Sequence, residues 1–335
     1  MGKVVAAVGM SHAPGAIGFP ETANPSIRTK LETASKQLGS SLKSSQPDVI
    51  FAFLDDHFAN FFRELMPSIA ISVADSHDEP ADQWMEALRI DKRTVFPGAP
   101  DIAEKMLAAL VGKGWGLWIP GRRTTCPVVP IFINVFTPPL IPYWRAYAFG
   151  KAVRDAVETA LPGETKVAFL ATGGLSHWPP YWNEFQASPD DAFLNRMRRY
   201  QTEGKGVLEE DPNLFVDFEE YETEMARKNE WPVDKGHHPL VNHAWDRLFM
   251  EKFVAGDKEW MTNLTYEEVE REAGHGAHEV LKWLALLGAM RGAPSMLLAY
   301  EPVLEWICGM TSVDFEVSKS KADTNGGVKT NGVHA

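Results

Sequence analysis

A chain of 335 residues with 44% hydrophobic and 23% charged residues is long enough to bury a large core. Its net charge of -12 argues against a nucleic-acid partner, whose binding faces are basic, and no run of about 18 apolar residues offers a membrane span. Two cysteines, Cys126 and Cys308, make no disulfide framework, and the chain opens on a strand-like run rather than a basic leader, so a reducing cytoplasm is the expected compartment.

The first apolar run, Val4 to Met10, reads as a buried strand and is followed by Ser11-His12-Ala13-Pro14. A Gly/Pro loop from Pro14 to Pro25 precedes a helix expected from about Ser26 to Ser44. The second strand, Val49 to Leu54, runs straight into Asp55-Asp56-His57. Ile69 to Val73 is a further strand, followed by a polar loop around Asp75 to Gln83. Pro100-Asp101 opens a helix reaching about Leu110, the proline and the acid both suiting a first turn. Trp115 to Ile119 and Val128 to Val135 read as strands, the latter stopped by Pro138-Pro139. Tyr143 to Leu161 reads as a helix, and Val167 to Ala171 as a strand ending in Thr172-Gly173-Gly174-Leu175-Ser176-His177. From Asp190 onward the pattern is mainly helical. Tyr266 to Ala289 carries apolar positions at helical spacing, interrupted by Gly274 and Gly276. The alternation of short strands with longer helices is that of an α/β protein.

Three histidines, His12, His57 and His177, thus follow three apolar strands. In α/β proteins the carboxyl ends of strands converge on the ligand crevice. Two imidazoles and a carboxylate there would make a metal site with open positions for substrate. Asp55, Asp56 and Glu279 are the candidate carboxylates. Consecutive strand residues face opposite ways, so at most one of Asp55 and Asp56 shares the crevice side. On a helix, Glu279 would face the same way as His275. His237-His238 reads as a loop pair, and Trp178 and Trp182, flanking Pro179-Pro180-Tyr181, would either wall a pocket for a flat ring or pack as a loop. The chain has no dinucleotide fingerprint, nucleophile elbow or phosphate loop.

The chain resembles the class III extradiol ring-cleavage dioxygenases over residues 1 to about 312, most of all the 2,3-dihydroxyphenylpropionate branch. The resemblance rests on Ser11-His12-x-Pro14, Asp56-His57-Phe58-x-x-Phe61-Phe62 and Val129-Pro130-Ile131-Phe132-Ile133-Asn134, then on Thr172-Gly173-Gly174-Leu175-Ser176-His177-x-Pro179-Pro180 and Asn242-x-x-Trp245-Asp246. His278-Glu279-x-x-x-Trp283 and Pro302-x-x-Glu305-Trp306-Ile307-x-Gly309 complete it. It implies a central twisted, mostly parallel or mixed sheet flanked by helices, forming one catalytic domain over residues 1–316; the Lys/Ser/Asn/Gly-rich composition of 317–335 predicts a disordered tail. The resemblance also implies Fe(II) held by His12, His57 and Glu279, with His177 as the acid/base beside a small aromatic substrate and O2, and a homo-oligomer.

One departure stands out. The family usually carries Asp-His-Gly before the Val-Pro-Ile strand; here the stretch is Pro120-Gly121-Arg122-Arg123-Thr124-Thr125-Cys126-Pro127, without a histidine. Arg122 or Arg123 would be the residues there able to fix a carboxylate or stabilise reduced dioxygen. Two alternatives follow from the lost histidine: a metal-dependent decarboxylase or hydrolase on the same fold, or a non-catalytic subunit.

Overall fold

The computed structural model describes residues 1–115, 127–179, 191–228 and 240–317. The strands in chain order are β1 (Lys3–Met10), β2 (Val49–Leu54), β3 (Ile69–Ile71), β4 (Ser76–Glu79), β5 (Thr94–Pro97), β6 (Val128–Ile133), β7 (Lys166–Thr172), β8 (Met296–Val303) and β9 (Cys308–Asp314). Among the described residues, seven strands form one mixed sheet in the order β3-β6-β2-β7-β1-β9-β8. The central four, β6, β2, β7 and β1, run parallel, while β3 and the β9–β8 pair add antiparallel edges. β2 and β7 read as near-continuous apolar runs because helices cover both faces of the parallel strands.

The expected helices form, two with slightly longer bounds and the third, Tyr143–Ala160, one residue shorter. Pro25–Ser45 starts where the Asn24 side chain accepts from the Ser26 N–H and Pro25 sets the first turn. Pro100–Val111 likewise has proline at its start and Asp101 in its first turn. Every residue of the Val280–Ala289 helix is buried. It packs against β7 on one side and the Tyr143–Ala160 helix on the other. That crossing is close: a Cβ on Gly150 would strike the Ala285 carbonyl, and one on Gly288 the Tyr147 carbonyl.

Three local readings are corrected. The stretch Asp75 to Gln83 is not only loop, because β4 within it pairs with β5 as an antiparallel ribbon. Tyr266 to Ala289 is three elements, the helix Tyr266–Ala273, a 3-10 segment His275–Glu279 and the helix Val280–Ala289. Gly274, at φ +87°, makes the break. The chain after Asp190 also ends in strands, β8 and β9. A register shift between Leu297 and Ala299 breaks the two-residue period that would have announced β8. The Trp115–Ile119 strand, beyond its first residue, and the tail from 318 lie outside the described residues. No helix among the described residues is long and apolar enough to cross a membrane.

The sheet positions the site through its register. Met10 of β1 aligns with Thr172 of β7, and Phe53 of β2 aligns with Ala171 of β7. The segments carrying His12, His57 and Gly173–His177 therefore leave the sheet at one level on its carboxyl edge.

Candidate metal centre

His57 sits three residues past β2 in a turn where His57 and Phe58 take left-handed backbone angles, φ +46° and +55°. Such angles are costly for residues with side chains and persist only where the surroundings over-determine them. Asp56 does this. Its carboxylate accepts the Asn60 and Phe61 N–H groups and the Asn60 amide, each at 2.7 Å. Asp55 points the other way, toward the crevice. The alternation rule thus separates the two acids, one for the turn and one for the site.

His12, Asp55, His57 and Glu279 bring their nitrogens and oxygens together in one cluster. His12 Nε2 and His57 Nε2 are 3.4 Å apart, and each is 3.6 Å from Glu279 Oε1. A point equidistant from these three atoms lies about 2 Å from each, the bond length from imidazole or carboxylate to a divalent transition metal. The convergence of three lone-pair donors fits such an ion. The far side of each donor is also fixed. His12 Nδ1 meets the Thr172 hydroxyl at 2.7 Å, and His57 Nδ1 lies 3.3 Å from Asp55 Oδ1. The second Glu279 oxygen accepts the Gly174 N–H. These are the outer contacts that set tautomer and ring orientation in metal sites. The imidazoles keep 27% and 25% of their side chains exposed, whereas the carboxylates keep 3% and 2%, so the cluster is sealed on the acid side and open on the histidine side.

Lys282 closes the buried side. Its side chain is fully buried and pairs with Asp55 Oδ2, and its ammonium is 3.6 Å from Glu279 Oε1. It runs beneath Gly173, where any Cβ would strike it. Burial pushes the Glu279 carboxyl well above the usual range, and neighbouring Asp55 adds to this. Burial works the same way on Asp55, but His57 and Lys282 outweigh it and hold that carboxyl ionised. Burial also lowers His12 to about 3, leaving the imidazole neutral, as a ligand must be.

His177 lies beside this cluster. Its Nδ1 donates to the Leu175 carbonyl at 2.8 Å, which assigns the lone pair to Nε2, and burial lowers the ring to about 4. Gly276 lies against the ring so closely that a Cβ there would collide with it, and a Cβ on Gly174 would strike Cys308 Sγ and crowd the ring. The loop is held from below by Asp246, which accepts the Ser176 N–H at 2.8 Å and the Tyr300 hydroxyl at 2.9 Å. His12, His57, His177 and Glu279 border one cavity whose apolar walls include Trp84, Phe218 and Trp306. Trp84 stands edge-on to Phe215 and Phe218.

His275 and Glu279 do not share a face, because the segment is 3-10 rather than α-helical. His275 belongs to a separate cluster. Glu270 Oε2 accepts from His275 Nδ1 and His278 Nε2, both at 2.9 Å. His275 Nε2 donates to the Phe136 carbonyl and His278 Nδ1 meets the Tyr143 hydroxyl at 2.7 Å. Every ring nitrogen is engaged, so the cluster serves as a clamp on the segment that carries Glu279. Of the remaining sequence candidates, Trp178 is buried with its ring over Gly274. Arg122, Arg123, Trp182 and His237-His238 lie outside the described residues. Sequence reasoning missed Lys282; its signal was one charge inside the apolar run Val280-Leu281-Lys282-Trp283-Leu284.

Residues 6–311 match the family model described as the catalytic LigB subunit of aromatic ring-opening dioxygenase. The 2,3-dihydroxyphenylpropionate/2,3-dihydroxicinnamic acid 1,2-dioxygenase of Rhodococcus globerulus is 26% identical over 312 residues, covering 90% of this chain and 94% of the relative. Its namesake in Burkholderia vietnamiensis is 28% identical over 313 residues, with 90% and 93% covered. Another, from a Rhodococcus species, is 31% identical over 278 residues, with 78% and 83% covered. An uncharacterized protein of Escherichia coli K12 with a solved structure superposes at a TM-score of 0.41 and 12% identity over 93% of this chain and 99% of its own, too loosely to carry an argument.

With a metal-binding cluster at the sheet edge, these matches make the protein an enzyme of the extradiol ring-cleavage class, a dioxygenase that acts on catechol-like aromatics. The chain belongs to the family of catalytic LigB subunits of aromatic ring-opening dioxygenases.

Proposed function

We propose that His12, His57 and Glu279 hold Fe(II), that His177 moves protons at the substrate, and that the substrate is a catechol bearing a side chain. The observation that carries this reading is the triangle of His12 Nε2, His57 Nε2 and Glu279 Oε1, open toward the cavity that His177 also borders. Two imidazoles and one carboxylate on one face leave positions for other ligands, the pattern of non-heme Fe(II) oxygenases. When bound, Fe(II) supplies a common site for the ring's two oxygens and for dioxygen. Both atoms of O2 enter the product as the ring carbon–carbon bond beside the diol breaks.

The chain's own residues do the rest. Trp84, Phe218 and Trp306 line the cavity with aromatic side chains for the substrate ring to pack against. His177, neutral at neutral pH, accepts a hydroxyl proton at Nε2 and returns it during ring opening. Asp246 and the Leu175 carbonyl keep that nitrogen oriented. The names of the curated relatives support a 2,3-dihydroxyphenyl head. A single catalytic domain over 1–316, a cytoplasmic location and assembly into a closed homo-oligomer complete the reading.

The test is anaerobic loading with Fe(II), then dioxygen uptake and product analysis with catechol and 2,3-dihydroxyphenyl substrates. One O2 consumed per ring opened is expected, together with loss of bound iron and of uptake in His57→Ala. Turnover without oxygen would replace this reading with a non-oxidative reaction.

A further inference from the structure

The helix Leu214–Lys228 turns two glutamates, Glu219 and Glu222, inward at i and i+3. Both are buried, at 4% and 9% exposure. They border a cavity of about 330 Å³ that Thr223, Glu305, Trp306 and Ile307 also line. Glu222, Trp306 and Ile307 border the metal cavity as well, so the two spaces adjoin. Glu219 Oε1 is sealed from solvent and makes no hydrogen bond. Leaving a buried polar atom without a partner costs about 1–3 kcal/mol, and such atoms in native proteins call for an explanation. Among the described residues, the one cation in the lining, Arg227, already spends its fork on Glu224, at 2.7 and 2.8 Å.

We propose that this cavity is a subsite for the side chain of the ring substrate, and that it takes a primary ammonium group rather than a carboxylate. The inference rests on the ring-opening reading and deepens it. An ammonium offers three donors. Glu219, Glu222 and Thr223 line the cavity and carry acceptor oxygens for such donors, and Trp306 and Ile307 line it beside them for the methylene stem. A carboxylate in the same place would be a third acid packed beside two buried ones, and a low-dielectric pocket without a cation disfavours its ionised form. Burial, then Glu222, raises the Glu219 carboxyl to about 9, so it is protonated at neutral pH while no cation lies beside it, and an ammonium bound there would favour its ionised form.

The experiment compares three ring compounds on the Fe(II)-loaded enzyme: catechol, 2-(2,3-dihydroxyphenyl)ethylamine and 3-(2,3-dihydroxyphenyl)propionate. Dissociation constants are measured anaerobically and KM values aerobically. The amine is expected to bind at least tenfold more tightly than the propionate. The double variant Glu219→Gln/Glu222→Gln is expected to erase most of that ratio, and Thr223→Val to narrow it should the double variant not fold. Equal or tighter binding of the propionate by the native enzyme overturns the subsite, as does a ratio that survives the substitutions. Failure to cleave any of the three defeats the ring-opening reading instead, while the anaerobic binding ratio still decides the subsite.

Discussion

Lys282 is paired with Asp55 at the buried end of the metal cluster, and neither side chain reaches solvent by more than 3%. The ammonium offsets one of two carboxylates packed together, and it anchors the Asp55 oxygen that faces away from His57. Removing one partner of a buried ion pair leaves an uncompensated charge, which costs about 3–5 kcal/mol. Lys282→Met should therefore lower unfolding free energy by about that amount in urea titrations. Lys282→Met combined with Asp55→Asn should recover more than half of the loss. A double variant no more stable than Lys282→Met would show that the pair is not coupled.

Asp55 also faces His57 Nδ1, the contact that orients the imidazole. Mutation of such outer partners typically costs 10–100-fold in metal affinity. Asp55→Asn should weaken Fe(II) or Co(II) binding by about that factor without abolishing it, whereas Glu279→Ala should abolish it. Competition against a chelator of known affinity measures both. Unchanged affinity in Asp55→Asn would remove the orienting role.

His177 is reached by two substitutions of different kind. His177→Gln should retain bound iron and lower kcat by about 100-fold or more, the usual loss for an acid/base group. Gly276→Ala pushes a methyl group into the same ring and should reproduce the loss with the histidine still in place. Iron content and kcat are measured on the same preparations. Full activity in Gly276→Ala would mean the ring need not sit where the structure puts it.

Asp246 makes stability depend on pH. Burial raises its carboxyl from 3.8 to about 7, partly opposed by the Ser176 and Tyr300 hydrogen bonds. Between those values the folded chain holds a proton that the unfolded chain has released, so stability falls as pH rises. This contribution is fully present below about pH 4 and lost by about pH 7. Asp246→Asn, with a similar shape and no titration, should flatten the decline in unfolding free energy over that window. An unaltered pH slope would show that Asp246 ionises normally in the fold.

β2 and β7 are apolar along their length, and their ends were visible because Asp55-Asp56-His57 and Gly173-Gly174 interrupt them. Period-two alternation even separated the two aspartates, one to the crevice and one to the turn. Glu279 was different. Helical spacing placed it beside His275, but Gly274 and the 3-10 geometry turned them apart, so its place opposite His12 and His57 followed from resemblance rather than pattern. β8 was hidden by its bulge, and β4 by its polar sequence.

The chain order of amino acids determined the strands, most helices and the positions of His12, His57 and His177, because periodicity and turn chemistry act over a few neighbouring residues. Only the tertiary structure decided that β7 lies between β1 and β2, that the Val280–Ala289 helix crosses beneath their ends, and that Lys282 and Glu279 meet Asp55 there. Those relations join residues more than a hundred positions apart. They are set by which apolar faces pack together, and local sequence does not record that choice.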